Sequence, residues 1–227
     1  MATFVVSEAW KKAYPGACAG ILVMHGVVNP EGHPALEQRR GELEQQLRGR
    51  YAGRDKAAFK SVPAIQAYNA YYARYGKTYH VQLQLESVAL KGRSISRSAA
   101  LVQAMFMAEV KNLVLTAGHD LEAIGMPVTL DVASGNERYT LLNGQEQVLK
   151  PGDMMMSDLQ GVISSVLYGP DGRTRITANT RHVLFAVYAP AGIAAVAVRE
   201  HLQDIKAYIQ LVAPRAEVES LEVYGTG

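Results

Sequence analysis

The alternation of apolar and polar positions changes character about halfway along the 227-residue chain: helical periodicity prevails first and strand patterns after it. Ser7 stands where an N-cap belongs before the helical segment EAWKKAY, and Pro15-Gly16 stop that segment. The apolar run ACAGILVMHGVV then predicts a buried strand set between helices. Pro34 suits a first helical turn and opens ALEQRRGELEQQLRGRYAG. Asp55 is placed to cap KAAFKS, and Pro63 begins AIQAYNAYYARYG, which Gly76 ends. Tyr68, Tyr71, Tyr72 and Tyr75 recur three and four residues apart and therefore share one helix face. Core packing is the commoner use of such a face, and stacking on bases the rarer one.

Ser98 precedes the most periodic segment of the chain, AALVQAMFMAEVKNLVLTAG, with Leu101, Met105, Ala108 and Leu113 on one stripe and Val102, Phe106 and Val110 beside it. The expectation is a helix buried on a wide face and terminated by Gly118, followed by Asp120 as the cap of a short helix LEAIG. From Met126 onward PVTLDVA, RYTLLNGQEQVL, MMMSD, VISSVLYG and RHVLFAVYAP predict neighbouring strands, with Asn143-Gly144 as a hairpin turn. AGIAAVAVREHLQDIKAYIQLVA predicts a closing amphipathic helix with Ile193, Val196, Ile205, Ile209 and Val212 inward. The fold class is therefore α+β, helices packed on a largely antiparallel sheet, in one domain over 1–227. Within it we expect a basic helical lobe at about 30–97, a pocket-forming sheet at about 115–190 and a C-terminal helix at about 191–213.

Composition narrows the function. With 48% hydrophobic and 19% charged residues the chain can bury a sizeable core. No stretch approaches the roughly 20 apolar residues of a membrane span, and MATFVVSEAWKK lacks the layout of a signal peptide, so a cytoplasmic location is expected. Cys18 is the single cysteine and reads as a small buried apolar residue. No metal site and no cofactor are expected. The net charge of +2 conceals an asymmetry: residues 1–100 carry fourteen Lys/Arg against seven Asp/Glu, and residues 101–227 carry nine against fourteen. The basic excess peaks at Arg39, Arg40, Arg48, Arg50, Arg54, Lys56 and Lys60, the candidate RNA-binding residues, since clustered cations hold phosphate backbones. Nothing points to DNA or to a membrane.

Standard catalytic signatures are missing: no G-x-S-x-G elbow, no phosphate-binding G-x-x-x-x-G-K-[ST] and no H-E-x-x-H. Polar groups do gather at predicted strand ends, in Ser157-Asp158, Ser164-Ser165 and RTRITANTRH. Turn chemistry alone accounts for such residues.

The order and spacing of AYPG with AGILV, of GHDLEAIGMPVTLDVASGNERYTLLNGQEQVLKPGDMMMSDLQGVISS and of GRTRITANTRHVLFAVYAP carry a resemblance. From about Trp10 to Pro190 the chain resembles the editing domain formed by the third and fourth modules of the bacterial phenylalanyl-tRNA synthetase beta chain, and still more the free-standing B3/B4 proteins built from that domain alone. The resemblance implies binding of aminoacylated tRNA and hydrolysis of a wrongly attached amino acid by a positioned water, a trans-editing deacylase. The alternative is a non-catalytic module for an amino-acid-like ligand or a protein partner. Position by position the resemblance implies Asp120 and Asp158 as catalytic candidates and Gly161, Arg173, Thr174, Thr177 and Thr180 as substrate-binding candidates; His119, able to serve for a family histidine only from a shifted position, joins the catalytic candidates, and Ser164 and Phe185 the substrate-binding ones. The chain also departs from the family. Val102-Gln103 stands where the family has a Val-Asp-x-x-Asn element, and Ala117 where it has a histidine. Leu184-Phe185-Ala186 replaces a glutamate suited to a tyrosine hydroxyl, which argues against a tyrosine-specific pocket.

Overall fold

A computed structural model of the protein describes residues 3–225. Among them the elements run β1 (Phe4–Val6), α1 (Glu8–Ala13), β2 (Cys18–His25), α2 (Pro34–Arg50), α3 (Lys56–Phe59), α4 (Pro63–Ala73), α5 (His80–Ala89) and α6 (Ala100–Asn112). Then follow β3 (Thr116–Asp120), a 3-10 turn at Leu121–Ala123, β4 (Val128–Val132), β5 (Arg138–Thr140), β6 (Glu146–Val148), β7 (Met154–Asp158), β8 (Gly161–Ser165) and β9 (Gly169–Pro170). β10 (His182–Ala189), α7 (Ala195–Val212) and β11 (Glu217–Gly225) complete the chain. The class is α+β, as the sequence predicts. The strands do not form one sheet, however. They divide into a four-stranded sheet ordered β11-β2-β10-β3, a five-stranded sheet ordered β1-β4-β7-β8-β9, and a small hairpin of β5 and β6. Pairing is antiparallel except between β1 and β4.

Local chemistry explains most boundaries. The Ser7 hydroxyl accepts from Trp10 N at 3.0 Å and Asp55 accepts from Ala58 N at 3.1 Å, each satisfying a donor that a helix start leaves free. Pro34 and Pro63 open α2 and α4, where their missing N–H costs nothing. β2 is apolar on both sides because β10 and β11 flank it and α7 packs over it. No helix among the described residues is long and apolar enough to cross a membrane.

Two expectations need correction. The long helix ends at Asn112 rather than at Gly118: Leu113 turns into the left-handed region at φ 59°, and Val114 and Leu115 lead the chain into β3 at Thr116. A short apolar run fits either a helix or a strand, and pairing with β10 decides it here. Gly118 is thus a strand residue, and a close approach explains it: a Cβ there would lie 2.8 Å from Ile176 Cδ1 and 3.1 Å from the Phe185 ring. At the C-terminal helix, α7 starts at Ala195 and turns Val196 outward, 62% exposed, while Val198, Leu202, Ile205 and Ile209 face the core.

The tyrosine face of α4 packs inward. Tyr68 donates to Tyr188 O at 2.5 Å and accepts from Leu115 N at 2.8 Å. Tyr71 donates to Asp153 Oδ1 at 2.5 Å and accepts from Met154 N at 2.7 Å, and Tyr72 donates to Val166 O at 2.8 Å. One helix therefore fastens both large sheets through phenolic hydroxyls whose rings are buried in the core.

Candidate ligand pocket

A cavity of about 590 Å3 opens between α6, β3 and the β8–β9 turn. Val102, Met105, Phe106 and Glu109 line it at helical spacing, so one face of α6 forms a wall. Thr116, Ala117 and Gly118 of β3 form the second wall, Ser165 to Pro170 the third, and Tyr188 closes the inner end. His80, Leu142 and Arg175, all exposed, stand at the mouth. Lys77 adds a second cation beside the rim, its Nζ 4.1 Å above the ring of Tyr168, which also lines the cavity. The layout is an apolar interior with a cationic entrance, the usual constitution of a small-molecule site.

Glu109 is the unusual group inside. It is 2% exposed; its Oε1 accepts from Thr116 N at 2.8 Å, and its Oε2 makes no hydrogen bond among the described residues. Burial pushes its carboxyl up to about 8, against a weaker opposing pull from the Thr116 N–H. His80 packs edge-on against Tyr72 and Tyr79, and the partial burial of its ring holds it below the usual imidazole range although its outer edge is exposed. Behind β3, His201 Nε2 lies 2.6 Å from Thr116 Oγ1, and burial lowers that imidazole to about 4.

None of the ten residues expected to act on substrate lines this cavity. They form a neighbouring polar frame. His119 is fully buried and lowered to about 3 by burial and then by Arg173. Its Nδ1 lies 2.7 Å from Thr174 Oγ1, and the Thr174 hydroxyl donates to Asp171. With that proton committed, Nδ1 of His119 is the donor, and Nε2 keeps a lone pair buried without a partner. Asp120 caps the 3-10 turn through Glu122 N at 3.0 Å and accepts from Thr180 Oγ1 at 2.6 Å. Asp158 holds Arg173 by two bonds of 2.9 Å and accepts from Gly125 N and Gln160 N. Burial alone would raise Asp158, but these donors outweigh it and hold the carboxyl below its ordinary value. Ser164 is bonded to the Tyr188 hydroxyl, Thr177 Oγ1 accepts from Asn179 N, Gly161 opens β8 at φ +129° and is exposed, and Phe185 is core beneath Gly118.

Local geometry separates the two sets. Gly118 of β3 reaches the cavity while His119, the next residue, is turned to Thr174, and in the irregular segment between β9 and β10 Arg175 and Ile176 reach it while Thr174 is held inward by Asp171 and Thr177 lies off the lining. Sequence reasoning missed Glu109, Thr116, Ser165, Arg175 and Tyr188. Ser165 and Arg175 lie in the polar clusters noted at the strand ends, and Glu109 left a signal of its own, a carboxylate in the middle of the apolar face MFMAEV.

The candidate RNA-binding residues also divide. Arg40 is buried, donating to Ile95 O at 3.0 Å and pairing with Glu37 at 2.6 Å, so its charge is spent on joining α2 to the loop before α6. Arg48 is turned onto the Val88, Gly92 and Arg93 carbonyls, Arg39 pairs with Glu42, and Lys56 lies 3.6 Å from Glu86. Arg50, Arg54 and Lys60 are exposed and have no ion-pair partner among the described residues.

Residues 68–208 match the B3/4 domain family. No curated protein matches the chain. Among solved structures, an N-terminal fragment of the phenylalanyl-tRNA synthetase beta-subunit from Pyrococcus horikoshii is similar in fold, with a TM-score of 0.52 and 13% identity. The alignment covers 96% of this chain and 50% of that one, so the protein spans about half the length of the synthetase fragment. The family match extends over more than half of the sequence and includes α6, β3 and the β8–β9 turn, the elements that enclose the cavity: the chain belongs to the B3/4 domain family.

Proposed function

We propose that the protein binds aminoacyl-tRNA and hydrolyses the ester of a wrongly attached amino acid. The observation that carries this reading is the cavity itself, an apolar chamber of about 590 Å3 with Arg175 and Lys77 at its entrance. The amino acid would enter side chain first while the cations meet the 3′-terminal phosphates. An aminoacyl ester is already activated, so hydrolysis asks mainly for an ordered water and for donors to the developing oxyanion. Thr116, Ser165, Tyr168 and Tyr188 are the hydroxyl-bearing residues of the lining, and Tyr168, beside Lys77 at the rim, stands nearest the ester. His119, Asp120 and Asp158 serve this reading as the frame that fixes β3 and the segment carrying Arg175.

One observation favours binding without hydrolysis: no ionised carboxylate and no imidazole of the polar frame lines the cavity. A panel of mischarged tRNAs, followed for ester loss and for binding by filter retention, separates the two. Release of one or a few amino acids above the spontaneous rate is expected. Retention of tRNA with no release would establish the binding module, and neither retention nor release would overturn both readings.

A further inference from the structure

We propose that Glu109 determines the specificity of the cavity, receiving a cationic amine at the far end of an apolar side chain. The proposal rests on the reading of the cavity as the place where an aminoacyl group enters. A tRNA ester must stay at the mouth, beside His80, Leu142 and Arg175. The α-amine, borne on the carbon next to the ester carbonyl, stays there with it. What reaches Glu109 is the end of the side chain, after a passage walled by Val102, Met105, Phe106, Leu115 and Ile176.

The floor calls for a cation on geometric grounds. Oε1 of Glu109 is occupied by the Thr116 N–H, whereas Oε2 has no partner among the described residues, in a wall that is otherwise apolar. A buried carboxyl ordinarily has a counter-charge, and leaving one without it is costly. The elements around Glu109 supply none among the described residues. From α4 come the hydroxyls of Tyr68 and Tyr72, and from the start of α5 those of Tyr79 and the imidazole of His80; burial keeps these groups uncharged at neutral pH. On the α7 side His201 is held neutral by burial, and Lys111 is committed to Asp204 at 2.6 Å. Arg175 stands at the mouth. The missing charge is therefore one that a ligand brings, and the raised carboxyl is the condition of the empty site. Binding then proceeds as R–NH3+ plus the protonated Glu109 carboxyl giving the ammonium–carboxylate pair, with one proton released to solvent.

Lysinamide and norleucinamide test this directly. They share the α-amine and the four-carbon side chain, differ in the terminal ammonium, and are not esters, so no tRNA and no hydrolysis are needed. Calorimetric titration of the full chain at pH 7, in two buffers of different ionisation enthalpy, is expected to show lysinamide binding at least about tenfold tighter than norleucinamide with about one proton released. Glu109→Gln should abolish that preference. The variant should also fold: a carboxyl raised in the folded state loses stability as pH climbs from the unfolded value of 4.5 through about 8. Glutamine is free of this loss, so the variant should melt no lower than the parent at pH 8, with the difference gone below about 4.5. Equal binding of the two amides, binding without proton release, or a preference retained in Glu109→Gln would each overturn the proposal. The proton count is read on the parent protein and decides the matter even without the variant. Lysinamide binding alongside a blank tRNA panel would sink the deacylase reading alone, whereas ester hydrolysis with no side-chain amine preference would sink this one alone.

Discussion

Asp120 shows how a residue expected to do chemistry can be fully occupied by structure. One carboxylate oxygen closes the turn at Glu122 N, and the other takes the Thr180 hydroxyl, joining the end of β3 to the segment that leads into β10. Asparagine retains the capping oxygen and offers an amide to Thr180, so Asp120→Asn should change stability by less than about 1 kcal/mol. Asp120→Ala loses both bonds and should cost roughly 1–2 kcal/mol in urea unfolding. Ligand binding by the asparagine variant should equal that of the parent, and a large loss there would return Asp120 to the site. At this scale the sequence shows which residues are polar and near strand ends, but not which way they face. Thr174 and Arg175 are neighbours with opposite fates, one bonded to Asp171 in the interior and the other at the cavity mouth. Residues 172–181 form an irregular connection between β9 and β10, so no periodicity in RTRITANTRH assigns its side chains to the interior or to the cavity.

Among the elements, α4 is the one whose tyrosine hydroxyls bond to both large sheets. Its Tyr68 hydroxyl receives Leu115 N and serves Tyr188 O, and Leu115 and Tyr188 both line the cavity. Tyr68→Phe strands a buried N–H and a carbonyl, and should destabilise the protein by about 1–3 kcal/mol while amide exchange at Leu115 accelerates. An unchanged exchange rate would show that Leu115 is held by something other than this hydroxyl. The inward use of the tyrosine face was legible because four rings at helical spacing exceed what a solvated helix exposes. Caps and proline starts were legible for the same kind of reason, being local rules. β11 was not: its burial pattern offers no continuously buried face, and the alternation in EVESLEVYG is weak. The end of α6 was not legible either, since Leu113, Val114 and Leu115 continue its apolar run although they form the link to β3, which starts at Thr116.

For the molecule as a whole, charge separates into an entrance and a flank. Arg175 and Lys77 flank the cavity, while Arg50, Arg54 and Lys60 are exposed on the helical lobe. If tRNA lies across the lobe, binding should weaken steeply as salt rises, and Arg50→Glu with Arg54→Glu and Lys60→Glu should flatten the log–log slope by about 0.7–0.9 for each phosphate that is no longer neutralised. Reversal at Arg40 would report on folding instead, because that side chain is buried against Ile95. A slope unchanged by the triple variant would move the RNA to another face.

The bonds of α4 also bear on the order in which the protein is made. Tyr68 reaches across 120 residues to Tyr188, Tyr72 across 94 to Val166, and Tyr71 across 82 to Asp153. During synthesis α4 emerges long before any of these partners, and it has only neighbouring helices to cover its aromatic face. Closing such long loops is an entropic cost met only when the late strands arrive. The cavity, walled by segments as far apart as His80 and Tyr188, is enclosed only when β10 has docked, while α7 and β11, still to come, complete the core, so the capacity to hold a ligand arises late in the making of the chain.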